Sequence, residues 1–240
     1  MIPANRLTLG ARAARLSLAL FLVPLTTASL PASAAEIVEQ GSGQRFTTPL
    51  LLSGNSYSLL GVGLRSHQNG QGGKLPKVSD YAMALYVDHA AARIPFPSLY
   101  GKAPTRAMMM AESRAQNFIL WGRFGKLGVL RFLHPYTKAD IATELHDGMA
   151  DLFAPKASDE MHKDADKFIA LFDKDFKEGD EVRIQTDETG RIEVQIDGIK
   201  RPGPHNPKLA RHIWEIWLGS HAISKEMRAS LVDRLDILKK

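Results

Sequence analysis

Residues 182 to 198, VRIQTDETGRIEVQIDG, alternate apolar and polar side chains on both sides of Asp187-Glu188-Thr189-Gly190. A period of two, interrupted by a turn cluster that ends in glycine, predicts two antiparallel strands joined as a hairpin. A hairpin exposes one apolar face, and the rest of the chain must cover it.

Further strand signals precede it. FTTPLLL at 46 to 52 and YSLLGVGLRS at 57 to 66 read as two strands separated by the turn cluster Ser53-Gly54-Asn55. In the second, simple alternation places Tyr57, Leu59, Gly61, Gly63 and Arg65 on one face. The glycine-rich SHQNGQGGKLP reads as a mobile loop, and KVSDYAMALYVD at 77 to 88 as a strand whose apolar face carries Tyr81, Met83 and Leu85. GVLRFLHPY is a short strand that Pro135 stops.

Helical spacing supplies the cover. Asp140 is expected to cap a helix that runs to Phe153 with Ile141, Leu145, Met149 and Leu152 inward, and Ser158 to cap another through Met161, Ala165, Phe168 and Phe172. TRAMMMAESRAQNFIL reads as one helix, although 93 to 127 as a whole is hard to place. Pro202, Pro204 and Pro207 mark a loop, LARHIWEIWLG a helix with Leu209, Ile213, Ile216 and Trp217 along one face, and Ser224 the start of the last helix. The sum is an α+β fold, an antiparallel sheet with helices gathered on one face.

The first 35 residues carry Arg6, Arg12 and Arg15, no acidic residue, an apolar run from Leu16 to Leu25 and then Ala32-Ser33-Ala34. This is the layout of a secretory signal peptide cleaved after Ala34 or Ala35. The apolar run of about 10 residues falls short of the roughly 20 that span a bilayer, so no stable membrane insertion is expected after cleavage. The mature domain, 36 to 240, is then periplasmic or secreted. Losing the leader lowers the formal charge of +5 to about +2, so the basic pI gives no reason to expect nucleic acid. The chain has no cysteine, which excludes thiol catalysis and thiolate metal sites.

Gly61-x-Gly63 lacks the third glycine of a dinucleotide fingerprint, and Gly72-Gly73-Lys74 lacks the hydroxyl residue of a P-loop. The eight histidines are scattered; His212 and Glu215 share a helical face without a third ligand, so no metal and no cofactor is expected. Arg65 stands apart. A guanidinium cannot shed its charge, so on a half-buried strand it needs an anion, a set of carbonyls, a ligand oxygen, or a route to water at the strand end.

LLGVGLR at 59 to 65, KVSDYAMALYVD, and LARHIWEIWLGSHAISKEMRASLVDRL at 209 to 235 resemble the chalcone isomerase family, in particular its bacterial chalcone isomerase-like branch. The likeness covers roughly 45 to 238, with 93 to 127 divergent or inserted. It implies an open-faced β-sandwich, a large antiparallel sheet with helices on one side and a ligand cleft between. Enzymes of the family cyclise chalcones without a cofactor, while relatives bind fatty acids without catalysis; in both, the strand arginine meets the ligand's oxygen anion, the position of Arg65.

The other family positions depart from the enzyme. Tyr81 stands where the enzyme has threonine, Ile141 falls at its essential tyrosine, Leu133 near its lysine, Gly148 near its asparagine and Ile216 near its late hydroxyl residue. The resemblance therefore implies a non-catalytic binder of a small apolar carboxylate such as a fatty acid. Arg65 and Tyr81 would hold its head, and Met83, Leu85, Ile213, Ile216 and Trp217 would line the cleft. Two alternatives stand beside it. One is an isomerase-type intramolecular lyase acting on a phenolic ligand through Arg65 with Tyr81 or Tyr136. The other is a partner-binding or structural protein with a closed cleft, in which Arg65 pairs with an internal carboxylate and a side chain fills the space beside Gly63.

Overall fold

The computed structural model describes residues 34–68, 77–153 and 158–239. The expected leader lies outside these residues apart from its last positions, as does most of the glycine-rich loop. The described residues belong to one structural unit, which carries every element named below.

Two strands, β1 (Ala35–Val38) and β2 (Arg45–Thr48), form a small antiparallel sheet. The main sheet has seven strands in sequential antiparallel order: β3 (Leu50–Leu52), β4 (Asn55–Gln68), β5 (Lys77–Asp88), β6 (Lys126–Phe132), β7 (Glu181–Thr186), β8 (Arg191–Ile196) and β9 (Ile199–His205). Between β5 and β6 lie α1 (His89–Arg93), α2 (Phe96–Tyr100), α3 (Arg106–Met110) and α4 (Arg114–Trp121). Between β6 and β7 lie α5 (Lys138–Gly148) and α6 (Asp159–Ile169). After β9 come α7 (Pro207–His212), α8 (Glu215–Leu218) and α9 (Lys225–Ser230).

The core divides at the sheet. On the helix side Leu60, Tyr81, Met83, Leu85 and Val87 pack with Ile141, Leu145, Ile213, Ile216 and Trp217. On the other side Tyr57, Leu59, Ala82, Ala84 and Tyr86 pack with Phe46 of β2. Covered on both faces, β5 is apolar at almost every position from Tyr81 to Val87. Each large side chain buried there stabilises the fold by about 1.5–3 kcal/mol.

The face assignment of β4 requires correction. Leu59 pairs with Tyr86, but Gly61 pairs with Leu85, so Leu60 is the extra residue of a β-bulge. Tyr57 and Leu59 therefore face away from the helices, while Leu60, Gly61, Gly63 and Arg65 face them. Arg65 lies opposite Tyr81 and shares its face with Met83 and Leu85.

Other boundaries move for local reasons. Pro49, behind a cis peptide bond, divides 46 to 52 into strands of different sheets. The cap of α5 is Thr137: its hydroxyl accepts from Asp140 N at 3.1 Å while the Asp140 carboxylate accepts from Thr137 N at 3.2 Å. That helix ends at Gly148, and a 3₁₀ turn carries the chain to Phe153. The segment at 106 to 121 breaks at Ser113, whose φ is 59°. Ile213 and Trp214 separate α7 from α8. Pro202 and Pro204 lie in β9, an edge strand that tolerates residues without an N–H donor. The 182-to-198 hairpin forms as expected, with Asp187 Oδ1 accepting from the backbone N–H groups of Thr189 and Arg191, and Gly190 at φ 91°.

Candidate functional site

Arg65 near the end of β4, Tyr81 on β5 and Glu144 on α5 converge where the sheet meets the helices. Arg65 Nε donates to Glu144 Oε2 at 2.8 Å, and its Nη1 donates to the Ser66 carbonyl at 2.7 Å. The Tyr81 hydroxyl donates to Glu144 Oε1 at 2.5 Å, and the Tyr136 hydroxyl to Oε2 at 3.2 Å. Trp217 Nε1 closes the network by donating to the Tyr81 oxygen at 3.0 Å.

Burial gives these bonds their weight. The Glu144 side chain is 4% exposed and that of Arg65 18%. Burial works against the guanidinium charge, but the Glu144 carboxylate and its hydrogen bond outweigh it, so the pKa of Arg65 rises. Burial pushes the Tyr81 phenol well above its ordinary value, and the neighbouring Glu144 charge pushes it further. Tyr136 is raised by the same causes in the same order. Both phenols are therefore hydrogen-bond donors at neutral pH, and neither is poised to ionise.

The space beside the glycines is filled. A Cβ on Gly61 would lie 2.1 Å from the Ser230 carbonyl oxygen, and one on Gly63 would lie 2.8 Å from Met227 Cγ. The glycines thus let α9 rest directly on β4. Gly148 and Ile216 pack on each other: a Cβ on Gly148 would sit 2.9 Å from Ile216 Cγ2. Met83, Leu85, Ile213, Ile216 and Trp217 are each at most 1% exposed, built into the core around the network.

Solvent reaches the network from one side, through an open pocket of about 580 Å³ onto which Arg65, His67, Asp80, His134, Tyr136 and Glu144 face. Asp80 is buried there, with Oδ1 2.6 Å from His67 Nδ1 and Oδ2 without a hydrogen-bond partner. Asp140 and Asp147 also line the pocket, so among the described residues its carboxylates outnumber its one permanent cation. Among the described residues no group of three or more histidines and acids could hold a metal ion. The His212 and Glu215 pair is a hydrogen bond of 2.8 Å between partly buried groups.

Sequence reasoning missed Glu144. Its position, three residues after Ile141 and directly before Leu145, places a carboxylate on the buried stripe of α5, and a strand arginine on the covering face was the group to pair with it.

A family model described as chalcone isomerase-like matches residues 39–233. The chain belongs to that family. The matched stretch runs from before β2 to beyond α9 and passes through the helices between β5 and β6. The fold also resembles the crystal structure of a fatty-acid binding protein from Arabidopsis thaliana, with a TM-score of 0.69 at 19% identity, covering 85% of this chain and 99% of that one. No curated protein matches the sequence. No described helix is long and apolar enough to cross a membrane.

Proposed function

We propose that this chalcone isomerase-like protein is an exported, non-catalytic binding protein for a small apolar molecule with a carboxylate head, such as a fatty acid. The observation that carries the reading is the convergence of Arg65 Nε, the Tyr81 hydroxyl and the Tyr136 hydroxyl on one carboxylate. The centre is a carboxylate receptor, and Glu144 is its resident. A ligand head takes the same donors once Glu144 turns out into the adjoining pocket. The Arabidopsis fatty-acid binding protein, similar in fold, supports the ligand class. The residues argue against catalysis: the place matched to the family's tyrosine is the buried Ile141, a glycine packed against Ile216 lies near its asparagine, and Tyr81 and Tyr136, the phenols beside Arg65, are spent as donors to Glu144.

The test is calorimetric titration of decanoate into the unaltered protein, Glu144→Ala and Arg65→Met. Glu144→Ala removes the internal competitor and binds more tightly; Arg65→Met takes the cation from the head group and binds more weakly. Equal affinity in all three would refute the assignment. A second reading, a structural protein with a closed cleft, is favoured by the Arg65 pair with the internal carboxylate of Glu144, by Met227 beside Gly63 and by Ile216 beside Gly148. It predicts no decanoate binding even by Glu144→Ala.

A further inference from the structure

A larger and more apolar hollow than the one at Arg65 lies elsewhere. A groove of about 900 Å³ opens between α1, α2 and α4, lined by apolar surface from Ile94, Pro95, Leu99, Phe118 and Trp121. It is at the other end of β5 from Arg65: Tyr81 faces Arg65, whereas α1 starts at His89, roughly 25 Å further along the strand. Groove and arginine centre have no lining residue in common.

Two features of the groove are uncommon on a protein surface. Its rims expose large apolar side chains, Ile94 at 80%, Trp121 at 57% and Leu99 at 48%. The other two tryptophans, Trp214 and Trp217, are buried. The charged residues that line the groove are both arginines, Arg114 and Arg123, and among the described residues neither makes an ion pair. Arg93 is exposed beside Ile94, and the Arg211 guanidinium lies 5.4 Å from the centre of the Trp121 ring. Acids in the surroundings are Asp88, which caps α1, Asp187 and Glu188, in the small neighbouring pocket that Arg123 and Arg211 also line, and Glu215, in a pocket that shares Asn117 and Trp121 with the groove and where His212 Nδ1 lies 2.8 Å from its carboxylate.

We propose that this groove is the face by which the protein docks on a bilayer surface that contains anionic phospholipid. Exposed tryptophan and aliphatic side chains fit the boundary between headgroups and acyl chains, where the indole ring has its lowest free energy. Unpaired arginines at the same level meet lipid phosphates, each basic residue strengthening attachment to an anionic leaflet. An apolar trough between arginines accepts the upper part of one acyl chain while its phosphate stays on the rim. Charge complementarity selects this occupant, since a neutral apolar partner would leave Arg114 and Arg123 without counter-charge over apolar surface. The inference does not depend on what binds at Arg65.

The experiment is co-sedimentation of residues 36–240, the unit that carries the sheet and its helices, with vesicles of phosphatidylcholine alone or equimolar with phosphatidylglycerol. Emission from Trp121 is followed in parallel, because the two buried tryptophans give a constant background. Binding to the anionic vesicles with a blue shift, weakened by salt and absent on neutral vesicles, is expected. Arg114→Glu with Arg123→Glu lowers partitioning tenfold or more, as does Ile94→Ser with Trp121→Ala. Reversing the exposed Lys163 and Lys225, away from the groove, changes it less than twofold; circular dichroism melts confirm that each variant folds. Equal binding to both vesicle types, no binding, or a Trp121 response to monomeric decanoate without vesicle attachment would each overturn the proposal.

Discussion

Removing one member of the Arg65 and Glu144 pair has a cost that depends on which member is left. With Arg65→Met, the Glu144 carboxylate, 4% exposed, keeps the two phenol donors and loses its cation. Leaving a buried charge without its partner costs about 3–5 kcal/mol. Glu144→Gln leaves Arg65 instead, which is 18% exposed, still donates to the Ser66 carbonyl and borders the open pocket. Water satisfies the guanidinium there, so the cost falls to about 1–3 kcal/mol. The double variant removes both charges and costs less than the sum of the singles, by a coupling of about 1–3 kcal/mol. Urea unfolding followed by circular dichroism reads this directly: at a slope of about 3 kcal/mol/M, Arg65→Met shifts the midpoint by roughly 1 M or more. Additive single costs, or an Arg65→Met penalty below that of Glu144→Gln, would show that the pair is not the buried, coupled unit described.

Gly61→Ala places a methyl group 2.1 Å from the Ser230 carbonyl oxygen and must push α9 off β4, so a loss of about 1–3 kcal/mol is expected in the same unfolding assay; a neutral result would mean that α9 moves freely. Lys126 is buried, which with Arg211 nearby lowers its pKa to about 8, and unfolding restores the ordinary value near 10.4. Between those values the unfolded chain holds more protons, so stability rises with pH; above about 10 it falls, because all five tyrosines are raised in the folded state and the unfolded chain loses its phenolic protons first. Lys126→Met removes the rise and keeps the fall, and a flat profile from pH 8 to about 10 in the unaltered protein would refute the assignment. Recovery of the protein from the exported fraction with an N-terminus at Ala35 or Glu36 is expected if the leader is cleaved, and an intact Met1 in that fraction would contradict it.

The antiparallel sheet with one helical face was legible because two-residue alternation at 182 to 198 is unambiguous, because 77 to 88 is a short apolar run with large side chains at Tyr81, Met83 and Leu85, and because serine caps announced α6 and α9. The bulge in β4 was not. Leu59 and Leu60 are both apolar, so hydropathy cannot tell which is the extra residue, and the face of Tyr57 was misread while Arg65 was still placed with Gly61 and Gly63. The break at Ser113 left no sign either, since serine has no strong preference for a left-handed conformation and helix formers flank it on both sides. At the site, Arg65 and Tyr81 were legible as a pair from the strands and the family resemblance. Glu144 was passed over because an apolar stripe was read for its apolar members alone. Yet a carboxylate on such a stripe and an arginine on the covering strand each demand a partner.

The receptor's energetics follow from that exchange of partners. A ligand carboxylate entering the centre is desolvated, while Glu144 regains water in the pocket, so the two charge terms oppose each other and little net affinity comes from the head group. The carboxylates of Asp80, Asp140 and Asp147 around the pocket further disfavour a small anion. Acetate is therefore expected to bind negligibly, and affinity must come from the tail. Each methylene moved out of water contributes about 0.8 kcal/mol, close to fourfold in the dissociation constant. A titration series from hexanoate to dodecanoate is expected to climb by that factor until the apolar surface is used up. Glu144→Ala raises every member by a common factor and leaves the slope unchanged. A flat series would mean that the head group, and not the chain, supplies the affinity, and the exchange of Glu144 for a ligand could not be the basis of binding.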